Sequence, residues 1–171
     1  MAITGATSPF TQAHYRVSET IELTLLAPFE AGQAGVLCAS MDPWARYRTT
    51  AGELTAFFSR SEPGAPRFAI RINGQFEGVL VLKSNWLAGP YIQTLAIARI
   101  AQGHGAGSLI LGFIDRQARA ARNRNVWVAA SDFNAAAIRF YERHGFVRAA
   151  EIPGLLQDGR DEVLLRKRVT V

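Results

Sequence analysis

The sequence predicts an α+β domain of three layers, with a mixed, mostly antiparallel sheet of six to seven strands and helices on both faces. A strand–helix–strand step between residues 91 and 130 implies one parallel pair of strands. Asn73-Gly74, between two strand-like segments, is a hairpin signal because both residues tolerate positive φ. Hairpins imply antiparallel pairs, so the predicted sheet is mixed.

The first half of the chain predicts one strand, two helices and a hairpin. Residues 21–26 alternate as a strand does, and Met41-Asp42-Pro43-Trp44 breaks the helix that follows. Thr50 with Glu53 forms a capping-box pattern, which predicts the start of a second helix. The predicted elements are strand 21–26, helix 28–39, helix 50–60, strand 68–71 and strand 76–86.

The second half alternates strands with helices and ends in two strands. Gly145 follows the last helical residues and predicts a left-handed helix end. Residues 154–161 predict a lid or a long hairpin turn. The predicted elements are strand 91–97, helix 105–122, strand 126–130, helix 133–143, strand 146–151 and strand 162–169.

Length and composition predict a single domain. The 171 residues, 49% hydrophobic and 19% charged, suffice for one sizeable core. We expect this domain over residues 20–171, preceded by a flexible arm over residues 1–19, which are mostly small and polar. No apolar run reaches the roughly 18 residues of a membrane helix and no signal-peptide pattern is present, so we expect no membrane association.

Cysteine and charge narrow the choice of compartment and partner. The single cysteine, Cys38, excludes an intramolecular disulfide and fits a cytoplasmic protein. No Cys/His cluster has zinc spacing, so no metal is expected. The net charge of +5 suits a polyanionic cofactor. Four arginines towards and just beyond the end of the helix 105–122, at positions 116, 119, 122 and 124, fit a solvated face better than a nucleic-acid surface, which only charge supports.

A glycine-rich stretch, residues 102–107, opens this helix. Glycines at 103, 105 and 107 let the backbone turn sharply and approach a ligand, so successive N–H groups can hold a pyrophosphate at the positive end of the helix. The stretch lacks the Gly-Lys-Ser/Thr of a P-loop, and Ser108 stands where a dinucleotide fingerprint needs its third glycine. A flexible loop at a helix start is the alternative.

The spacing Gln102-x-x-Gly105-x-Gly107 resembles the acetyl-CoA motif of the GNAT family of N-acetyltransferases. Leu95-Ala96-Ile97 is similar to that family's fourth strand. The order of elements over residues 20–170 is similar as well. A second stretch also resembles a motif of this family, the one on its second conserved helix: Asn134-x-x-Ala137-x-x-Phe140-Tyr141-x-x-x-Gly145-Phe146.

The resemblance implies the fold of acyl-CoA acyltransferases and a role for each matching residue. Backbone groups of the strand 95–97 would pair with pantetheine, and Asn134 would hydrogen-bond to it along a face that small Ala137 leaves open. Tyr141 would protonate the departing thiolate as general acid. The N–H groups that would hold the pyrophosphate belong to Gln102, Gly103, His104, Gly105, Ala106 and Gly107.

Helical spacing agrees with these roles, since Asn134, Ala137 and Tyr141 share one helix face. The alternative for Tyr141 is a core aromatic beside Phe140. A general base is missing from its expected place, because Gln93-Thr94 stands where many family members carry glutamate. Ordered water on the fourth strand, or a remote residue, remains open for that role; the remote candidates are Glu77, Asp42, His104 and Glu162.

The expected function is therefore transfer of an acetyl group from acetyl-CoA to a primary amine, by direct attack in a ternary complex (EC class 2.3.1). A non-catalytic acyl-CoA-binding or regulatory module on the same fold is the alternative. The acceptor, a small molecule or a peptide, stays open, and a homodimer is possible through exposed strand edges. The residues expected to line the acceptor site are Asp42, Pro43, Trp44, Trp86 and Tyr91.

Overall fold

The computed structural model describes residues 8–170, in which eight strands and four α-helices follow one another. A short 3-10 helix, Arg99–Ala101, precedes the glycine-rich stretch. The bounds are β1 His14–Arg16, β2 Ile21–Leu25, α1 Glu30–Ala39, α2 Ala51–Phe58, β3 Arg67–Ile72, β4 Gln75–Trp86, β5 Gly89–Ile97, α3 Ala106–Ala120, β6 Asn125–Ser131, α4 Ala135–Arg143, β7 Val147–Gln157 and β8 Arg160–Arg168.

All the strands lie in one sheet, in the order β1-β2-β3-β4-β5-β6-β8-β7. Every neighbouring pair is antiparallel except β5 and β6. The mixed, mostly antiparallel sheet is thus confirmed, with eight strands rather than six to seven. The additional strand is β1, at one edge.

The predicted flexible arm over residues 1–19 is wrong from residue 8 onward. β1 pairs antiparallel with β2, and Tyr15 within it is buried. The Tyr15 ring packs on Phe68 and Phe113, with centroids 5.8 and 5.2 Å apart. A few buried aromatic rings anchor this mostly polar segment, because burying one such side chain contributes about 1.5–3 kcal/mol. Residues 1–7 lie outside the described part of the chain.

Helices cover both faces of the sheet, as predicted. Alternate residues of β4 separate the two cores: Val79 and Val81 face α1 and α2, whereas Leu80 and Leu82 face α3 and α4. The larger core lies under α3 and α4. No helix within residues 8–170 is long and apolar enough to cross a membrane.

Local signals fix several of these boundaries. The Thr50 hydroxyl accepts a hydrogen bond from the Glu53 N–H at 3.2 Å, and the Glu53 carboxylate accepts one from the Thr50 N–H at 2.8 Å, which confirms the capping box. Asn73 and Gly74 have φ of 51° and 80° in the predicted hairpin turn. Both signals lie within a few residues of sequence, so they can be recognised without knowledge of the tertiary structure.

The last hairpin is longer than predicted. β7 runs to Gln157 and β8 begins at Arg160, so a tight turn at Asp158-Gly159 joins them. Residues 154–161 therefore form neither a lid nor a long loop. β7 is the second edge of the sheet, and most of its side chains are exposed.

Candidate active site

The sheet opens between β5 and β6. These strands pair only at Tyr91↔Trp127 and Ile92↔Val128. Beyond that point β5 stays paired with β4 as far as Ile97, while β6 stays paired with β8. We call the opening between the diverging strands the splay. It leaves one backbone edge of β5 without a strand neighbour, as the prediction of an added pantetheine strand requires.

A β-bulge marks the start of the splay. Thr94 lies opposite Val81 and Ile92 lies opposite Leu82, so Gln93 is an extra residue in β5. The side-chain oxygen of Gln93 is buried and has no hydrogen-bond partner among the described residues. A buried oxygen without a partner costs about 1–3 kcal/mol, so this position is suited to a polar ligand or to water.

The strand residues that the family resemblance singles out lie along the splay. Leu95 and Ile97 are half-buried and pack against the core under α3 and α4. Ala96 is buried on the opposite face. The carbonyl of Ile97 accepts a hydrogen bond from the Gln102 side chain at 2.7 Å, which ties the end of β5 to the loop that follows.

The glycine loop, residues 102–107, presents free backbone donors. Gly103 and Gly105 have φ of 81° and 82°, a left-handed conformation that favours glycine. None of the six N–H groups from Gly103 to Ser108 donates to an acceptor within residues 8–170. The first N–H that does so is that of Leu109, which bonds to the Gly105 carbonyl at 3.0 Å. Free N–H groups at the start of a 15-residue helix suit an anion.

Close packing joins this loop to α4. A Cβ on Gly107 would lie 2.9 Å from the Phe140 ring, so a larger residue there would force the ring to shift. His144 lies beside the same contact: its Nδ1 is 2.7 Å from the Phe140 carbonyl and its Nε2 is 2.8 Å from the Ser108 hydroxyl. The side chain of His104 is exposed.

Asn134 begins α4 as its N-cap. Its Oδ1 accepts the N–H of Ala137 at 3.2 Å, a capping bond that sequence spacing alone did not reveal. Its amide nitrogen donates to no described residue. Asn134 and Ala137 are both half-buried, so the amide keeps a free donor beside a small side chain.

Tyr141 is buried on the α4 side of the sheet. Its ring packs against Phe140 and Phe146, with centroids 5.3 and 5.5 Å away. Its hydroxyl makes no hydrogen bond within the described part of the chain. Burial raises the pKa of Tyr141, and the nearby Tyr91 raises it further. Both causes keep the phenol protonated at neutral pH.

The other face of the sheet carries a second polar group, which we call the carboxylate cluster: Tyr47, Ser131 and Glu162. Glu162 is 4% exposed and its Oε1 accepts hydrogen bonds from both hydroxyls, each at 2.6 Å. The two hydroxyl oxygens are 3.0 Å apart. Burial and the bond to Glu162 raise the pKa of Tyr47 to about 12.

Sequence patterns find these residues only in part. Of the four remote candidates for a base, Glu162 alone is buried; Asp42 binds Arg46 at 3.1 Å. Tyr47 carries no signal, because it is 84 residues from Ser131 and 115 from Glu162 along the chain. No group of three or more metal-ligating side chains occurs within residues 8–170.

The aromatic residues predicted to line the acceptor site lie in two separate places. The rings of Trp86 and Tyr91 are tilted by 41° with centroids 4.9 Å apart, and Trp127 meets Trp86 edge-on at 5.4 Å; these three rings form the aromatic cluster. Trp44 packs instead into the core under α1 and α2. The aromatic cluster therefore supplies the lining on the face that holds the carboxylate cluster.

Solved structures share this fold. An acetyltransferase from Salmonella typhimurium that modifies the N-terminal serine of ribosomal protein L7/L12 has a TM-score of 0.75 at 17% identity, over 92% of this chain and 99% of that one. The ribosomal-protein-S18-alanine N-acetyltransferase from Escherichia coli has a TM-score of 0.69 at 17% identity, over 88% and 95%.

A Bacillus anthracis protein assigned as a streptothricin acetyltransferase, solved with acetyl-CoA, has a TM-score of 0.58 at 20% identity, over 64% of this chain and 65% of that one. No curated protein matches the chain in sequence. The model of the Acetyltransferase (GNAT) family matches residues 31–146, which span the glycine loop, the splay and α4. The chain therefore belongs to the Acetyltransferase (GNAT) family.

Proposed function

We propose that this protein transfers an acetyl group from acetyl-CoA to a primary amine, by direct attack in a ternary complex. The observation that carries the proposal is the row of six free N–H groups from Gly103 to Ser108, beside a strand edge that the splay leaves open. A pyrophosphate suits the first and an extended amide chain suits the second.

Acetyl-CoA fits the residues that are present. The glycine loop would hold the pyrophosphate, while the β5 edge from Gln93 to Ile97 and the free amide nitrogen of Asn134 would hold the pantetheine. When bound, acetyl-CoA supplies the activated acetyl group. The orphaned oxygen of Gln93 gives the splay a polar group that a ligand amide can satisfy.

Tyr141 is the proposed general acid. A phenol whose pKa is raised by burial arrives protonated at any physiological pH, which is the state needed to donate to a thiolate. Its hydroxyl is not engaged by any described residue, so it is available to a substrate atom.

Structural relatives suggest the range of acceptors. One of them modifies the N-terminal serine of a ribosomal protein, another is a ribosomal-protein alanine N-acetyltransferase, and others are named for antibiotics. We propose a small-molecule or peptide amine for this chain, acetylated in the cytoplasm.

Thermal melting with and without acetyl-CoA tests the cofactor, and release of coenzyme A with amines tests the reaction. Acetyl-CoA at 100 times its Kd should add about 2.7 kcal/mol of stability. An unchanged Tm at millimolar acetyl-CoA would contradict the proposal. A Tm shift with no coenzyme A release from any amine would identify an acyl-CoA-binding module instead.

A further inference from the structure

The sheet face that carries the carboxylate cluster is open to solvent beyond α1 and α2. Val128 and Leu165 point into the core under α3 and α4, so their neighbours along β6 and β8 point to the opposite face. Those neighbours are only half-buried, and they form a strip that runs from the carboxylate cluster to Trp127 of the aromatic cluster: Trp127, Ala129, Leu164 and Arg166.

Glu162 stands at the inner end of this strip. It is almost fully buried, yet no Lys, Arg or His within residues 8–170 lies within 4.0 Å of its carboxylate. Both hydroxyl donors bond to Oε1, and Oε2 accepts nothing from a described residue. A buried carboxylate without a cation is costly, and a ligand ammonium would offset that cost.

The carboxylate also lies close to the splay. Burial raises the pKa of Tyr91 and Glu162 raises it further, while burial raises the pKa of Tyr141 and Tyr91 raises it further. Tyr91 is therefore within electrostatic reach of both Glu162 and Tyr141. Glu162 lies on one face of the sheet and Tyr141 on the other.

Arg166 stands at the outer end, four residues from Glu162 along β8. Its Nε donates to the Asn125 side chain at 2.7 Å, and its guanidinium lies 5.6 Å from the centre of the Trp127 ring. No carboxylate within residues 8–170 lies within 4.0 Å of it. The guanidinium is thus held in place while its two terminal nitrogens stay available to an anion.

We propose that this strip is the acceptor site, with Glu162 receiving the ammonium and its proton and Arg166 receiving an anionic group at the other end of the same molecule. The proposal rests on the proposed function. Glu162 and Arg166 are four residues apart on the strand, so their Cα atoms are separated by about 13 Å. Their side chains shorten the gap that the acceptor has to span. The acceptor class is a primary amine on a flat or apolar body that also carries a carboxylate or similar anion.

The proton balance is simple at this site. The ammonium gives one proton to Glu162, and the amine nitrogen forms a C–N bond to the acetyl carbon as the C–S bond of the thioester breaks. Tyr141 protonates the sulfur and regains the second proton lost by nitrogen. Glu162 then returns its proton to solvent, so the ammonium and the thioester give the amide, coenzyme A and one released proton.

The inner end is tested with the probe 4-(2-aminoethyl)benzoate in a coenzyme A release assay across pH. Glu162→Gln should lower kcat/KM about 100-fold at neutral pH and move the rising limb of the pH profile up by about one unit or more. The other titratable or charged groups near Glu162 are Tyr47, Tyr91 and Asp132, with Arg46 and Arg160 stacked on Phe133. Glu151→Gln is the matched control, because it removes the same charge at an exposed position on β7.

Hydroxylamine separates catalysis from folding, because it is unprotonated at neutral pH and needs no base. Once the enzyme-free reaction of hydroxylamine with the thioester is subtracted, Glu162→Gln should acetylate hydroxylamine at close to the wild-type rate and keep the acetyl-CoA Tm shift. An equal loss of rate with hydroxylamine would overturn the assignment of Glu162, and so would a wild-type rate of Glu162→Gln with 4-(2-aminoethyl)benzoate. A wild-type protein that releases coenzyme A no faster than the enzyme-free reaction, even with hydroxylamine, would overturn the proposed function itself.

The outer end is tested by comparing the probe with its amide, 4-(2-aminoethyl)benzamide. The wild type should prefer the carboxylate by about tenfold in kcat/KM, and Arg166→Gln should abolish that preference while keeping the rate with the amide. Arg168→Gln, exposed on the same strand, should keep the preference. No preference in the wild type, or an unchanged one in Arg166→Gln, would overturn the anionic end of the site.

Discussion

The two faces of the sheet meet at one splay but are built in different ways. On the α3 and α4 side, the donors come from a single stretch of backbone, residues 103–108, and one helix that packs on it. On the other side, the carboxylate cluster joins three side chains from distant parts of the chain. A backbone site depends on glycines and tolerates most side-chain changes, whereas a side-chain site depends on each residue in it.

On the proposed function, this difference predicts which half can change between relatives of one fold. The cofactor side would recognise groups common to every acyl-CoA, and backbone donors suffice for that. The acceptor side would carry identity in Glu162, Arg166 and the aromatic cluster, so a few substitutions there would change the acceptor without moving the loop. The experiments below test the separation of the two faces, starting with the largest expected effect.

Tyr141→Phe should remove the chemistry of the cofactor side without removing binding. We expect kcat to fall by about 100-fold or more, because the thiolate then leaves without a proton, while the Kd for acetyl-CoA stays unchanged. Steady-state kinetics with a binding titration measures both. Tyr15→Phe, a buried tyrosine of β1, is the matched control. Equal turnover in Tyr141→Phe and wild type would end the general-acid assignment.

Gly105→Ala should damage the cofactor side alone. An alanine at φ of 82° is strained by roughly 1–2 kcal/mol, so the loop shifts and its N–H groups lose their common direction. We expect acetyl-CoA affinity to fall about tenfold with the KM for the amine unchanged. Gly112→Ala is the control in the interior of α3, where the new Cβ meets Arg116 at an ordinary 3.5 Å. A rise in the amine KM would show that the two faces are not separate.

Tyr47→Phe should damage the acceptor side alone. It removes one of the two hydroxyls that hold Glu162, a bond to a charged group contributing about 1.5–3 kcal/mol. The amine KM should rise about tenfold, and acetyl-CoA affinity should stay the same. If the variant loses acetyl-CoA affinity instead, Tyr47 acts on the cofactor side and not on the acceptor side.

The same substitution has a signature at high pH. The folded pKa of Tyr47 is about 12, whereas an unfolded tyrosine ionises near a pKa of about 10. The stabilisation is therefore complete below pH 10 and is lost as pH rises from 10 towards 12. The Tm difference between wild type and Tyr47→Phe should shrink over that interval. A constant difference would mean that the phenol is not held protonated by its neighbours.

Sequence patterns predicted the glycine loop and several element boundaries because their signals are local. Glycine spacing, the capping box at Thr50 and the Asn73-Gly74 turn each act within a few residues, and all three take the predicted conformation. β1 was missed because three residues carry no pattern, and only the contacts of Tyr15 across the core fix it. Tyr47 and Ser131 were missed because pairing between β6 and β8 and the path of the α1–α2 connection bring them to Glu162.

If the proposed function holds, the divergence of β5 and β6 beyond Gln93 offers the splay two entrances, one on each face of the sheet. On the proposed function, acetyl-CoA enters beside α3 and the amine enters beside the aromatic cluster, so neither has to wait for the other to bind or leave. The order of arrival is then random, and coenzyme A competes with acetyl-CoA but not with the amine. The acetylated product competes in the opposite way, and the two inhibition patterns report separately on the two entrances.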